Sequence, residues 1–372
     1  MEIIVIHKDE IQKDPPLISV LNILADLGCR VRLVTCGFTV TLRTQLEQKG
    51  ISFTVLEHCI GAHNTIGKIA QYMRFRQGVS VVLNKYPNAF LWIEGAQTIS
   101  ALGNLYKERN YVLQIHELYE TSKPQLHAIG QVIQQAYCVF MPEYSRTSIY
   151  QVWFRLKRRP IVLPNKPYFL PSVEVLATLR SKYASKIKLL QDKKIILYQG
   201  YIGKDRDLTA YVKAISKLGA EYVFLLVGPD GGMLSKYRAI NSAIVHINYL
   251  PAPDYLLFTS IAHIGILGYS PVSLNNIFCA PNKIFEYTAY GLPIIGNDIP
   301  GLYFLINKYT AGVVVDEKDE QSIKQAILLI ESDYDNYVCG AKALFESVDN
   351  SRTIAESLGL LSNGIGKEPT HL

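Results

Sequence analysis

No stretch of this 372-residue chain approaches the roughly 20 consecutive apolar residues that a membrane-spanning helix requires. Met1 leads straight into the strand-like run EIIVIH and not into a charged and then apolar leader, so the sequence predicts a cytoplasmic protein. Its six cysteines, Cys29, Cys36, Cys59, Cys138, Cys279 and Cys339, form no CxxC pair, and most sit in apolar runs. That pattern excludes a disulfide framework and a zinc-finger spacing, and it predicts buried free thiols. Neither the phosphate loop GxxxxGK[ST] nor the dinucleotide motif GxGxxG occurs, and no unit repeats at a period of 20 to 50 residues. No metal-ligand cluster is visible, so neither a metal nor a bound cofactor is expected. The net charge of +6 on a chain only 19% charged gives no reason to expect a nucleic-acid partner.

What is present is apolar and periodic. The hydrophobic share is 49%, and the length suits two domains, each able to bury its own core. Short β-branched runs alternate with helical-period segments, the signature of parallel βαβ units. The first half offers strands at 2–7, 30–37, 52–57, 89–95, 111–117, 137–142 and 161–164, and the second at 193–200, 222–229, 243–250, 262–268, 292–297 and 311–316. Leu17, Val20, Leu21, Leu24 and Leu27 form one apolar helical stripe; Leu208, Tyr211, Val212, Ile215 and Leu218 form another. Pro160, Pro164, Pro167 and Pro171 cluster where one half gives way to the other, which places a domain boundary near Pro171. The expected organisation is an amino-terminal domain over 1–170, a second domain over 171–349, a helix at 350–361 and a flexible tail at 362–372. The segment WFRLKRRPIVLPNK, from Trp153 to Lys166, is followed by Lys182, Lys186, Lys188, Lys193 and Lys194. It forms either a solvated basic face or a contact with an anionic membrane surface, at the inner face of the plasma membrane.

Open parallel sheets bind ligands beyond the carboxyl ends of their strands, so the residues just after each strand carry the chemical interest. In PNKIFEYTAYGLPII, Pro281 opens and Gly291 closes a predicted helix, on which Asn282, Lys283 and Glu286 share one edge near the amino terminus. A carboxylate there can accept hydrogen bonds from a vicinal diol, while the helix dipole and Lys283 attract phosphate. The other reading of that edge is an ordinary i, i+3 ion pair between Lys283 and Glu286. In GYIGKDRDL, Gly200 lets the backbone approach a ligand, and Lys204 and Arg206 can neutralise a diphosphate. GPDGG, from Gly228, is either a phosphate- or base-facing loop or a plain turn. In the first half, His116 ends the run YVLQIH and is followed by Glu117, an imidazole for a sugar hydroxyl or phosphate oxygen beside a carboxylate able to orient it or act as a base. A lone strand-end histidine can equally be structural. Glu94 and His7 hold similar positions.

Together these segments resemble the GT-B glycosyltransferases, in particular the retaining family numbered 4 in the usual sequence classification. YQGYIGKDRDL, FLLVGPDGG, INYLPAPD and PNKIFEYTAYGLPIIGND follow one another in that family's order between Ile195 and Val315, with a fainter likeness in YVLQIHELYE and over 136–165. The resemblance implies an α/β chain of two Rossmann-like domains, their parallel sheets facing across a cleft, the second holding a nucleotide-diphosphate sugar such as a UDP-sugar. It implies that Glu286 binds the ribose, that Arg206 with Lys204 contacts the diphosphate, that backbone groups near Leu250 read the base, and that His116 contacts the transferred sugar. The implied reaction is metal-independent transfer, with retention, to a hydroxyl of a saccharide or lipid-linked saccharide held by the first domain, whose first loop, residues 7–16, is charged. Residues 350–361 are implied to cross back to that domain. Two departures stand out. Phe278 occupies the position of the family's first glutamate, with Asn275, Asn276 or amides near Ala280 as replacements for its contacts, and Tyr201 replaces a basic residue after Gly200. Polysaccharide-assembly members show a similar PNK before FEY. The rival readings are an epimerase or phosphorylase of the same architecture, and a catalytically degenerate partner subunit.

Overall fold

The computed structural model describes residues 1–360; the tail expected at 362–372 lies outside them. The chain divides into two compact units, one of residues Met1–Tyr168 joined by the stretch from Asp349 onward, the other Phe169–Val348. Tyr168 is still tied to the first unit, its amide donating to Ser19 Oγ at 3.1 Å.

The amino-terminal unit holds a seven-stranded sheet in the order β3-β2-β1-β4-β5-β6-β7. Its strands are β1 (Glu2–His7), β2 (Arg30–Thr35), β3 (Ser52–Val55), β4 (Phe90–Glu94), β5 (Tyr111–Gln114), β6 (Cys138–Met141) and β7 (Ile161–Val162). The carboxy-terminal unit holds a six-stranded sheet in the order β10-β9-β8-β11-β12-β13. These are β8 (Lys194–Gln199), β9 (Tyr222–Val227), β10 (Val245–Ile247), β11 (Ile264–Leu267), β12 (Ile294–Asn297) and β13 (Gly312–Val315). Every pairing is parallel. Helices cover both faces of such sheets, so their strands read as unbroken apolar runs: Ile3, Ile4, Val5 and Ile6 are all fully buried.

In both sheets the chain winds outward from the first strand, then returns to its other side. The order therefore reverses between β1 and β4 and between β8 and β11, the two topological switch points. Asp14 accepts from the Leu17 amide at 3.0 Å and starts the helix Pro15–Asp26, which buries Leu17, Val20, Leu21 and Leu24. Helix Glu320–Ser332 buries Ile323, Ala326, Ile327 and Ile330. Helix Asn350–Ser357 belongs to the amino-terminal unit, where Ile354 and Leu358 join the core with Leu17 and Leu21, and Asn350 Nδ2 donates to the Pro164 carbonyl at 2.8 Å.

The strand ends differ from the sequence expectation. β5 stops at Gln114 and β10 at Ile247, so His116, Glu117 and Leu250 lie in loops. The buried Arg146 donates from Nη1 to the His116 carbonyl. Among the described residues no helix is long and apolar enough to cross a membrane, and no disulfide joins any of the six cysteines.

Candidate functional site

In the carboxy-terminal unit, the loops after β8 and β9 meet backbone to backbone. Gly200 has φ +142° and Gly228 φ +141°. A Cβ on Gly228 would lie 2.0 Å from the Gly200 carbonyl oxygen, so only glycine permits this approach. Side chains from the helix Asn282–Ala289 converge on the same strand end. A Cβ on Gly200 would touch Lys283 Cε at 3.4 Å and Nζ at 3.5 Å, which places the ammonium directly over that glycine. Lys283 is half-buried; burial pulls its pKa below the ordinary lysine value, the nearby Arg206 adds to the effect, and Glu286 opposes it. Arg206, in the short 3-10 turn Lys204–Arg206, sets its guanidinium over the Tyr269 ring at 4.7 Å.

Glu286 is buried, and its carboxylate is held at both oxygens. Oε1 accepts from Tyr255 OH at 2.8 Å, and Oε2 accepts from Gln199 Nε2 at 3.4 Å. Thr259 Oγ1 in turn donates to Gln199 Oε1, which fixes the orientation of that amide. Burial pushes the Glu286 carboxyl above the ordinary range, while Lys283 and the Tyr255 hydroxyl resist the shift. The i, i+3 ion pair is not formed: no ion pair or hydrogen bond joins Lys283 and Glu286 among the described residues. An ionised carboxylate offers about four lone-pair positions, so Tyr255 and Gln199 leave two for an incoming diol. Beside this carboxylate, the buried Tyr290 hydroxyl has no partner among the described residues.

Sequence reasoning found Gly200, Gly228, Arg206, Lys283 and Glu286, which the fold brings to one strand end. It missed Gln199, Tyr255 and Thr259. Gln199 carried a signal, being the last residue of a strand that runs into a glycine; Tyr255 and Thr259 carried none. Asn282 is half-buried at the start of the helix, Lys204 is exposed, and Leu250 is half-buried against the core. The GPDGG loop differs from the phosphate-facing possibility. Asp230 Oδ1 accepts from the amides of Gly232, Met233 and Leu234 at 2.9, 2.9 and 3.2 Å, so the loop's own carboxylate fills the slot an anion would use. Near Phe278, the Asn276 side-chain amide already donates to the Ser270 carbonyl at 2.9 Å.

In the amino-terminal unit a second polar cluster lies at the β1/β4 switch point. His7 ends β1 and pairs in register with Glu94, which ends β4. His7 Nδ1 and Glu94 Oε2 share a short hydrogen bond. His116 Nε2 lies 3.6 Å from Glu94 Oε1 and 3.8 Å from Asp14 Oδ2. His116 is therefore one of four clustered ionisable groups, not an isolated imidazole. Glu117 is half-exposed, with Oε2 3.5 Å from Arg146 Nη1.

No family model matches the chain, and comparison with curated proteins finds no match. Solved structures do share its fold. HepE from Anabaena in complex with UDP-glucose is similar with a TM-score of 0.71 at 14% identity, over 97% of this chain and 100% of that one. Sucrose-phosphate synthase from Thermosynechococcus elongatus gives 0.70 at 18% identity, over 97% and 98%. A glycosyltransferase from Rickettsia africae gives 0.71 at 15% identity, over 98% and 99%. At such identities the likeness establishes architecture: an α/β chain of the GT-B fold, built from two Rossmann-like domains.

Proposed function

We propose that this protein is a glycosyltransferase that moves a sugar from a nucleoside-diphosphate sugar, a UDP-sugar in the first instance, to a hydroxyl of a saccharide or lipid-linked saccharide, with retention at the anomeric carbon. The observation that carries the reading is the convergence of Glu286, Lys283, Arg206 and Gly200 at the carboxyl end of β8, beside a switch point. A ribose diol needs a carboxylate acceptor, and a diphosphate needs cations with close backbone approach; the cluster offers both. Structures of the same fold are described with UDP-glucose and with UDP and glucose bound, which supports the donor class. Arg206 and Lys283 supply the positive charge that a departing diphosphate requires, so donor binding needs no divalent ion. The acceptor is assigned to the amino-terminal unit.

Titration calorimetry with a panel of nucleoside diphosphates tests the donor site. Lys283 has a lowered pKa in the free protein, and a diphosphate beside it raises that pKa again, so binding takes up a proton. On the alkaline side, above carboxyl titration, the uptake should grow with pH. Arginine stays protonated, so Lys283→Arg should bind UDP without the uptake. Absence of heat with every diphosphate would instead favour a catalytically degenerate partner subunit, the reading that Phe278 and the doubly engaged Glu286 support.

The basic and aromatic segment suits a peripheral contact with an anionic membrane, where a lipid-linked acceptor would be found. Val152 is 75% and Trp153 38% exposed at the end of helix Tyr144–Trp153, with Arg155, Lys157 and Arg158 exposed after them. Phe154 instead packs inward, toward Gly130 and the Tyr150 ring. Each basic residue near an anionic surface contributes about 1 kcal/mol, so Lys157→Glu with Arg158→Glu should weaken vesicle binding at least tenfold. Cosedimentation with phosphatidylserine vesicles measures this; binding that ignores both salt and the substitutions would reject the membrane contact.

A further inference from the structure

We infer that Tyr255 is a positioning residue for the donor site: its hydroxyl fixes Glu286 Oε1, so that the carboxylate turns its remaining lone pairs to the vicinal diol of a nucleotide ribose. The inference rests on the donor-site reading above and adds to it the residue that aims the carboxylate. The bond from Tyr255 OH to Glu286 Oε1 is 2.8 Å long, close to the ideal for a hydroxyl donor, whereas Gln199 Nε2 reaches Oε2 only at 3.4 Å. Tyr255 is therefore the stronger of the two restraints, and a hydrogen bond to a charged oxygen is roughly twice as strong as a neutral one.

The turn that carries Tyr255 is itself held in place. Tyr255 directly precedes the helix Leu256–Ser260, and its carbonyl accepts from the Phe258 amide at 3.1 Å. The neighbouring Asp254 is buried, and its Oδ2 accepts from Lys182 Nζ and from Tyr183 OH, each at 2.6 Å. Both donors stand at the end of helix Val173–Lys182, so the turn is pinned to a second helix. The half-buried Tyr255 ring packs against the core of the carboxy-terminal unit, with the hydroxyl as its polar tip. A carboxylate already held this way spares an incoming ligand the cost of ordering it.

Position is one half of the role and charge is the other. Burial of Glu286 works against the ionised form that a diol acceptor needs, and Lys283 and the Tyr255 hydroxyl oppose it. Lys283 and Tyr287 share the helix of Glu286, and Tyr290 lies at its end. Tyr255 faces the carboxyl from its turn and Tyr269 from beyond β11, with Arg206 beside Lys283. Burial lifts Tyr255, Tyr269, Tyr287 and Tyr290 above the ordinary tyrosine value, so each is a neutral hydroxyl wherever a carboxyl titrates. Loss of the one hydroxyl that donates to Glu286 should therefore leave this carboxyl protonated to a higher pH.

The test is calorimetric titration of the full chain with UDP over a series of pH values, for the wild type, Tyr255→Phe and Glu286→Gln, with circular dichroism to establish that each is folded. Tyr255→Phe keeps the ring and removes only the hydroxyl. The acid limb of its binding profile should lie about one pH unit or more above that of the wild type, so that UDP affinity falls about tenfold or more between the two limbs, and the gap should narrow on the alkaline side. The titration of the diphosphate itself is common to both proteins and cancels. A residue that merely props the fold would lower affinity alike at every pH. Deoxyuridine diphosphate lacks one hydroxyl of the diol; the wild type should prefer UDP to it about tenfold or more, and Tyr255→Phe should lose most of that preference on the acid limb. Glu286→Gln separates the two claims. If it leaves both UDP affinity and that preference unchanged, Glu286 holds no ribose, and the donor-site reading and this inference fall together. If it weakens UDP while folded Tyr255→Phe shows the wild-type profile, or one lowered uniformly, the donor site stands and the positioning role of Tyr255 is overturned.

Discussion

Glu286→Gln is expected to weaken UDP binding by roughly 10- to 100-fold while leaving the fold intact, since hydrogen bonds to a charged group contribute about 1.5–3 kcal/mol against 0.5–1.5 for neutral ones. The glutamine carbonyl can still accept from Tyr255, so the substitution removes the charge and keeps the shape, losing only the long 3.4 Å hydrogen bond from Gln199 Nε2, which then faces an amide donor. Alanine is the poorer probe, because it strands the Tyr255 hydroxyl and the Gln199 amide, which now bond to the carboxylate at 2.8 and 3.4 Å. Stability should move the other way. Burial raises the Glu286 pKa in the folded state, so the folded chain holds this proton more tightly than the unfolded chain. That contribution is complete below the ordinary glutamate range and is lost as pH rises through the raised value. At neutral pH the glutamine variant should therefore unfold no more easily than the wild type, and its advantage should vanish in acid. Isothermal titration with UDP, paired with urea unfolding at two pH values, measures both halves. Unchanged UDP affinity in the folded variant would remove Glu286 from the donor site.

Gly228→Ala is expected to produce the largest loss of stability. Its φ of +141° is unfavourable for any L side chain, and its Cβ would meet the Gly200 carbonyl oxygen at 2.0 Å. Backbone strain of this kind costs about 1–3 kcal/mol and overpacking a further 1–3, together a sizeable share of the roughly 5–15 kcal/mol that holds a domain folded. For a unit of this size that corresponds to a fall of about 10 °C in the unfolding midpoint. Gly232→Ala is the control. Gly232 also has a positive φ, +94°, but its Cβ would meet nothing within 4 Å, so it should lose about 1 kcal/mol. Differential scanning calorimetry separates the two; equal losses would mean that the contact with Gly200 is not what demands glycine. Because the Gly228 clash falls on Gly200, the same substitution should disturb the backbone beneath Lys283 and lower UDP affinity in whatever fraction stays folded.

These two residues mark different levels of legibility. Gly228 was found from local pattern alone, as a glycine directly behind an apolar strand. Glu286 was placed near the start of a helix by Pro281 and Gly291, and the helix runs Asn282–Ala289 with Gly291 at φ +68° beyond it. What the pattern could not foresee was the company Glu286 keeps. Gln199 precedes it by 87 residues and Tyr255 by 31, so no local period links the three.

By itself the sequence determined the strands, their parallel pairing, the helical stripes and the amino terminus on which Lys283 and Glu286 stand. Doubly covered strands must be apolar throughout, and helix ends must satisfy or dispense with their backbone donors, so both constraints are written locally. Tertiary structure alone decided that Asp230 occupies its own loop's amides and that His7, Asp14, Glu94 and His116 cluster at the β1/β4 switch point. The reason is sheet order. Between the end of β1 at His7 and the start of β4 at Phe90 lie 82 residues, and the two strands become neighbours only because the chain reverses its winding there, a choice made by the packing of the whole unit and not by any segment within it.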